Sequence, residues 1–446
     1  MMRVLSFAHL SVLALAINLA ACGDSETTSS AAVTVTPAPV VAPVETAQAA
    51  TAQVTREQVI QHYADIAHAT FADAYSTAQT LQSAINAFVD APSAETQQAA
   101  KDAWLAARVP YMQSEVFRFG NVLVDEWEGQ VNAWPLDEGL IDYVDGDYQY
   151  ALGNGGAIAN IIANQSIQVG EEKVDVSELT PELLAGLNEL GGSEANVATG
   201  YHAVEFLLWG QDLNGTQPGA GERSYTDYLT GENCTGGNCE RRGQYLKVVT
   251  SLLVDDLAEM TAQWAADNSE NYRAELLAES AEQGLRKAFF GMGSLSLGEL
   301  AGERMKVALE ASSTEDEHDC FSDNTHNSHF YNAKGVRNVY LGEYKKVDGT
   351  VLTGPSIAQL VQASDAAADQ LLQTNLATTE KNLQVMVDAA ENGTAFDQMI
   401  DPENTEGQHI VGDAIAALVV QTTAIEQAAL ALGITELNPD TAEHTF

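Results

Sequence analysis

Basic residues are scarce in this sequence of 446 residues, where 20 Lys and Arg stand against 63 Asp and Glu. The formal net charge at pH 7 is therefore −43. A protein of this charge repels the phosphates of nucleic acids and of anionic membrane surfaces, which excludes nucleic acid as a partner. The same charge attracts cations, so the composition favours a cationic ligand.

Cysteine is also scarce, with four in the chain. Cys234 and Cys239 flank a short Thr-Gly-Gly-Asn turn, a spacing that allows a small disulfide loop in an oxidising compartment. A cysteine-based metal site is disfavoured because the sequence has no second close pair of cysteines. Cys320 is left over, and we expect it to be buried.

Residues 1–21 have the pattern of a targeting segment. Arg3 supplies its positive charge, and the apolar core from Leu5 to Leu19 is too short for a membrane-spanning helix. The segment ends in Leu-Ala-Ala-Cys22, which resembles a bacterial lipobox and implies cleavage before Cys22 and a lipid anchor on that cysteine. Gly23 then implies the periplasmic side of the outer membrane. An ordinary secretory signal is the alternative, and both place the mature chain in the cell envelope or beyond.

Strand signals are sparse in the rest of the chain, and abundant Ala favours helix. Residues 22–54 are rich in Ser, Thr, Ala, Val and Pro without a sustained period, which predicts a disordered tether. After the tether we predict an all-α chain of two helical bundles, at 55–243 and 244–440. Apolar periodicity places the main helices at 55–89, 94–119, 240–266, 270–311 (interrupted), 355–391 and 407–433, with shorter ones near 157–163, 181–190, 200–209 and 222–230.

The segment Gly200–Trp209 is apolar on nearly every side, which is typical of a buried helix. It contains His202 and Glu205, whose spacing of three residues lets the two side chains meet on one helical face. Buried polar groups need partners. The candidates are the pair itself, other side chains, or a metal ion.

Charged residues recur in two other places where a solvated face does not explain them. The helix predicted at 94–119 carries Arg108, Glu115 and Arg118 within a stripe that also holds Trp104 and Tyr111, so these charges form an internal ion-pair ladder or line a cleft. The segment 131–143 sets three acids among apolar residues, namely Asp137, Glu138 and Asp142.

The stretch 315–329 is dense in acids and amides and contains His318, His326 and His329. A surface loop is the simpler interpretation of this composition. Three of the nine histidines of the chain lie within twelve residues, which keeps open the alternative of a loop that faces a ligand or a metal.

These motifs together resemble the imelysin-like proteins, in the branch that contains the cyanobacterial iron-regulated protein A. The resemblance rests on Gly200-x-His202-x-x-Glu205, on Trp-Pro-Leu-Asp-Glu at 134–138, on Glu-Arg-Arg-Gly-Gln-Tyr-Leu at 240–246, and on the stretch 315–326. It implies two all-α domains with a cleft between them, in envelope proteins tied to iron uptake, some of which are described as metallopeptidases.

The function that we favour from sequence is the binding of a metal ion, or of a metal chelate, in iron uptake. The resemblance and the spacing together imply that His202 and Glu205 bind the ion directly, and we expect Glu115, from the second helix, to be a third ligand. Imidazole and carboxylate suit iron, zinc or manganese, and iron is the metal that the resemblance favours, with zinc as the alternative. Residues expected to orient these ligands or to line the cleft are Arg118, Asp137, Glu138, Asp142, Ser322, Asp323 and His326. A transport protein of the envelope is the expected protein partner.

Two other functions stay open. A zinc-type metallopeptidase is the first, with Glu115 or Glu138 as the base. It lacks the second histidine of the His-Glu-x-x-His and His-x-x-Glu-His motifs, since Phe206 follows Glu205. A solute-binding protein is the second, in which Trp104, Trp134 and nearby arginines form a small-molecule cleft.

Overall fold

The computed structural model describes residues 53–146, 148 and 154–446, and within them the chain is mainly helical. The α-helices in chain order are α1 (Arg56–Asp90), α2 (Ala94–Ser114), α3 (Val122–Val131), α4 (Pro181–Ala185), α5 (Gly200–Trp209), α6 (Cys239–Gln263), α7 (Tyr272–Ala278), α8 (Ala281–Ser294), α9 (Val307–Ala311), α10 (Thr325–Leu341), α11 (Ile357–Ser364), α12 (Ala366–Glu391), α13 (Phe396–Met399) and α14 (Thr405–Ala431). A π-helical segment, Leu295–Lys306, joins α8 to α9, and a 3₁₀ turn, Glu115–Phe117, follows α2. The all-α prediction is confirmed.

Local capping explains where several helices begin. The Thr55 side chain accepts a hydrogen bond from the amide of Gln58, and the Thr55 amide donates one to the Gln58 side-chain oxygen at the start of α1. Ser93 caps α2 in the same reciprocal way. Thr180 caps α4, and Pro181 occupies its first position, where no amide proton is needed.

The predictions were wrong in the segment after residue 145. The short helix expected near 157–163 is a series of turns, followed by the antiparallel hairpin of β1 (Ser166–Val169) and β2 (Glu172–Asp175). A second hairpin pairs β3 (Glu343–Lys345) with β4 (Val351–Thr353). Strands of three or four residues carry too little period-two pattern to stand out in a sequence.

Helix α1 contributes to two apolar clusters and so connects the elements around it. It packs against α2 and α6, and its second half joins them in one apolar cluster. Its first half lies in another cluster, with α8, α10, α12 and α14. A third cluster joins the π-helical segment to α12 and α14. Residues 53–446 form one compact unit, and the predicted boundary at 243/244 falls inside α6. The division into two bundle domains stays a prediction.

Helix α14 is long and apolar enough to cross a membrane, with a mean hydropathy of 1.4 and 44% of its most apolar window buried. The central helix of a packed core meets the same criterion. Val411 and Leu418 of α14 lie in the third apolar cluster and Ile425 lies in the second. These contacts identify α14 as a core helix.

The predicted signal peptide (1–21), Cys22 and all but the last two residues of the predicted tether (22–54) lie outside the described residues. The disulfide between Cys234 and Cys239 is present, with a Cα–Cα distance of 5.9 Å. Cys320 is a free thiol and is half-buried.

Candidate metal centre

Helix α5 carries the first histidine of the site and is buried along all ten of its residues. It begins at Gly200, whose φ of +81° is unfavourable for residues with a side chain. A Cβ atom on Gly200 would also lie 2.4 Å from the carbonyl oxygen of Val131. Gly200 therefore lets the start of α5 press against the end of α3, and this fixes where His202 points.

His202 is held by its predicted neighbour. Its Nδ1 atom lies 2.9 Å from Glu205 Oε2, and the two side chains are 1% and 0% exposed. Its other ring nitrogen, Nε2, is buried and has no hydrogen-bond partner among the described residues. A carboxylate that accepts from one nitrogen fixes the tautomer in which the other nitrogen offers a lone pair.

The loop before α10 lies directly against α5. Its Ser322 donates two hydrogen bonds to Glu205 Oε1, from the amide at 3.0 Å and from the hydroxyl at 2.6 Å. The Trp134 indole donates to the carbonyl oxygen of Glu317 at 2.8 Å and so holds the start of the loop. The His318 ring then lies 4.8 Å from the His202 ring, centre to centre.

His318 and Asp319 complete the cluster. Both ring nitrogens of His318 are buried and unpaired within the described chain. Asp319 accepts from Arg108 at 2.7 Å and from Asn324 at 2.8 Å, and it accepts a further bond from the Ser328 hydroxyl. His202, His318 and Asp319 can each offer one ligand atom such that the three atoms lie within 4.8 Å of one another.

Burial sets the charge state of this cluster. It lowers the pKa of His202 to about 3, with the Arg108 charge acting in the same direction. It also lowers the pKa of His318 well below the ordinary value, again helped by nearby arginines. Burial acts to raise the pKa of Asp319, but the Arg108 charge, His202 and the hydrogen bonds from Ser328 and Asn324 together hold that pKa below the ordinary value. At neutral pH the site therefore holds two neutral imidazoles and one carboxylate.

Such a set fits a transition-metal ion. Neutral imidazole is the form that binds a metal, and two imidazoles with one carboxylate suit iron, zinc or manganese. The fit rests on the unpaired nitrogens, because a buried polar atom without a partner is costly unless a ligand satisfies it.

Comparison with known proteins identifies the family of this chain. Residues 67–425 match a family model described as "Peptidase_M75: Imelysin", which covers most of the chain. The chain belongs to the imelysin family. The predicted family resemblance is thereby confirmed.

Relatives of this imelysin chain include a protein named for iron. Iron-regulated protein A of Synechococcus elongatus is 22% identical over 348 residues, which is 76% of this chain and 78% of that protein. Two solved structures have a similar fold, each with a TM-score of 0.55 and 16% identity: an iron-regulated protein A precursor from Parabacteroides distasonis and an imelysin-like protein from Psychrobacter arcticum. They cover 84% and 85% of this chain, and 97% of their own lengths. This family membership supports an iron-related role.

The two predicted carboxylate ligands already have partners in the imelysin structure. Glu205 bridges His202 and Ser322, as described above, so it orients the histidine. Glu115 lies 2.5 Å from Arg304 Nη2 and is 1% exposed. Direct coordination of a metal by either carboxylate stays a prediction.

Arg118 and Glu115 belong to a buried ion-pair network beside the site. Arg118 contacts Glu128 at 3.4 Å and Glu299 at 3.5 Å, and Arg304 contacts Glu299 at 2.6 Å. Both Glu299 and Arg304 lie on the π-helical segment, a conformation that often marks functional sites. Arg108, Glu115 and Arg118 thus pair with acids and bases from other elements and not with one another.

Three other predicted acids are not members of the cluster that the two histidines form with Asp319. Asp142 accepts from Arg223 at 2.7 Å and from Arg242 at 2.6 Å, and this paired carboxylate has a lowered pKa despite its burial. Asp137 accepts a 2.5 Å hydrogen bond from Asn154. Burial raises the pKa of Glu138, one of the two bases considered for a peptidase.

The remaining predicted residues come from the loop before α10, and they divide between two places. Ser322 reaches Glu205, in agreement with the expectation that this loop approaches the motif helix. His326 is half-buried, and its Nε2 atom is 3.0 Å from the side-chain nitrogen Nδ2 of Asn327. Asp323 faces a separate group of acids, with Asp212 and Asp397.

Sequence reasoning pointed to the loop of His318 and to Arg108, but it did not choose His318 or Asp319 as ligands or Arg108 as the partner of Asp319. His318 and Asp319 stand in a stretch whose acids and amides suggested solvent, yet they are 1% and 0% exposed. The signal that could have found them is the neighbouring Cys320-Phe321, since an apolar pair inside an acidic loop indicates that part of the loop is buried.

Proposed function

We propose that this chain is a cell-envelope lipoprotein that binds a metal ion, iron, as its cargo in iron uptake. The observation that carries the proposal is the buried pair of His202 and His318, which have three unpaired ring nitrogens and can each bring one ligand atom within 4.8 Å of an Asp319 carboxylate oxygen. The name of the Synechococcus relative, iron-regulated protein A, supports the choice of iron.

In this function His202 Nε2, one nitrogen of His318 and an oxygen of Asp319 bind the ion. Glu205 holds the His202 ring, and Ser322 holds Glu205. Arg108 and Asn324 hold the Asp319 carboxylate. Partners that hold a ligand in place typically contribute about 10- to 100-fold to metal affinity, so substitution of Glu205 should lower metal affinity measurably, as substitution of a ligand does.

The experiment is elemental analysis and metal titration of the mature domain, purified without a metal-affinity tag. We expect stoichiometric iron in the wild-type protein, and affinity lowered at least about tenfold in His202→Ala and in Glu205→Ala, with helix content unchanged. The exposed His409 on α14 offers a matched control, since His409→Ala removes an imidazole without touching the site. Equal affinity in the wild type and both site variants would refute the proposal.

A zinc-type metallopeptidase is the second candidate, supported by the peptidase description of the family model. It requires a carboxylate that activates water beside the ion. Hydrolysis of an unfolded polypeptide by the zinc-loaded protein, abolished in His202→Ala, would favour it. Metal binding without hydrolysis would favour transport.

The lipid anchor is tested separately. We expect metabolic labelling with a fatty acid in the full chain and none in Cys22→Ser, together with release of the variant from the membrane fraction. Labelling that persists in the variant would refute the assignment of Cys22.

A further inference from the structure

A second group of carboxylates lies outside the centre described above. Asp212, Asp323 and Asp397 each offer one oxygen, and the three oxygens lie within 4.8 Å of one another. They come from three separate segments: the loop after α5, the loop before α10, and helix α13. Glu317 is a fourth acid close to them, since the charges of Asp397 and Asp323 act on its carboxyl group.

Within the described residues, the acids of this group lack the arginine partners that other buried acids have. Asp142 and Asp319 each contact arginine, whereas no ion pair reaches any of the four acids within the described residues. Asp397 is 0% exposed, and neither of its oxygens makes a hydrogen bond of normal geometry. Glu317 is 1% exposed, and its Oε1 atom is likewise buried without a partner.

Contacts between the segments fix this arrangement. The amide of Gly221 donates to the carbonyl oxygen of Phe321 at 2.9 Å, which ties the loop after α5 to the loop before α10. The Thr216 hydroxyl donates to Asp401 and ties the first loop to the segment after α13. Mutual repulsion of the carboxylates would separate these segments, so the contacts hold together a group that is unfavourable by itself.

We propose that Asp212, Asp323 and Asp397 form a second cation site, with Glu317 as a further negative charge near it, which takes a hard divalent cation with oxygen ligands, of the class of Ca²⁺. Carboxylate oxygens without imidazole or thiolate are the ligands that such cations prefer. A bound cation supplies the positive charge that no arginine or lysine supplies here. Asp397 lies at the buried end of the site, and half-buried Asp212 and Asp323 give it access to solvent.

The charge state of the acids agrees with this assignment. Burial raises the pKa of Asp397 to about 7, and the charge of Asp212 also raises it. Hydrogen-bonding groups of Gln398 act to lower this pKa but do not cancel the effect of burial. Burial and Asp397 likewise raise the pKa of Asp323 to about 7. The site does not depend on His202 or His318, so the proposal stands apart from the proposed function.

The test is calorimetric titration of the metal-free protein with Ca²⁺, a cation that imidazole sites bind poorly. We expect one saturable Ca²⁺ site in the wild type. Asp397→Asn and Asp212→Asn should weaken it at least about tenfold, because each removes one of few charged ligands. His202→Ala should leave it unchanged. Glu426→Gln, which removes an exposed charge on α14, controls for the total negative charge of the protein.

Thermal unfolding gives a second readout that does not depend on the calorimetric signal. Without Ca²⁺, Asp397→Asn should raise the melting temperature, because the asparagine side chain has the same volume as aspartate but carries no charge. With Ca²⁺, the wild type and Glu426→Gln should gain thermal stability and Asp397→Asn should not. Absence of saturable Ca²⁺ binding by the wild type, equal affinity in Asp397→Asn, or loss of binding in His202→Ala would overturn the proposal.

Discussion

Replacement of His318 by Phe tests whether the candidate centre is built for a ligand. The His318 ring is 1% exposed and meets the rings of Trp134 and His202 edge to face, at 5.3 and 4.8 Å between ring centres. Phenylalanine retains a flat ring in this position. It removes two buried nitrogens that have no hydrogen-bond partner among the described residues.

The expected magnitude follows from the two nitrogens. A buried polar atom without a partner costs about 1–3 kcal/mol. The two atoms of one ring are not independent, so we expect His318→Phe to raise the free energy of unfolding of the metal-free protein by about 2 kcal/mol. The same change removes a proposed ligand, and we expect metal affinity to fall at least about tenfold, or 1.4 kcal/mol. Apo stability and metal affinity thus change in opposite directions.

The assay is urea unfolding in the presence of a chelator, paired with titration of Fe²⁺ and Zn²⁺ into the folded protein. At pH 7 the comparison is free of histidine protonation, because burial holds the pKa of His318 well below its ordinary value. His409→Ala again serves as the control and should change neither quantity. A variant that is less stable without metal, or that binds metal as tightly as the wild type, would show that His318 is an ordinary core residue.

Two further predictions test the surroundings of the centre. Gly200→Ala should lower the free energy of unfolding by about 3 kcal/mol, because the φ of Gly200 is +81° and a Cβ there would lie 2.4 Å from the Val131 oxygen. The control is Gly129→Ala on α3, where a Cβ meets nothing within 4 Å, and this change should raise the free energy of unfolding by up to about 1 kcal/mol in the same urea series. His329 is buried with a pKa lowered to about 3, so acid protonates it only in the unfolded state, and the wild type should lose about 2 kcal/mol more than His329→Phe between pH 6.5 and 4.5. Parallel pH profiles for these two proteins would contradict the second prediction.

The helices could be predicted from sequence because their determinants are local. The start of α1 depends on Thr55 and Gln58, which are three residues apart, and its buried face repeats with helical period. His202 and Glu205 were recognisable for the same reason, since one helical turn joins them.

The rest of the centre could not be predicted because its contacts are remote in sequence. Arg108 and Asp319 are 211 residues apart, and Ser322 is 117 residues from Glu205. The ion pair of Glu115 with Arg304 could not be foreseen either, because Arg304 lies 189 residues further on in a segment with no distinctive motif. Only the folded chain shows which of two acids on neighbouring elements has an arginine beside it.

The scarcity of basic residues connects the two sites. In the part of the chain that the structure describes, each of the five buried arginines contacts an acid, through the pairs Arg108–Asp319, Arg223–Asp142, Arg242–Asp142, Arg273–Asp65 and Arg304–Glu115. With 20 basic residues against 63 acids, buried acids outnumber the arginines available to them. Asp397 and Glu317 are left without a basic partner, and His202 and His318 are neutral with lone pairs to offer. An interior of this kind becomes favourable when cations enter it, which supports the proposed metal-binding function over a solute-binding one.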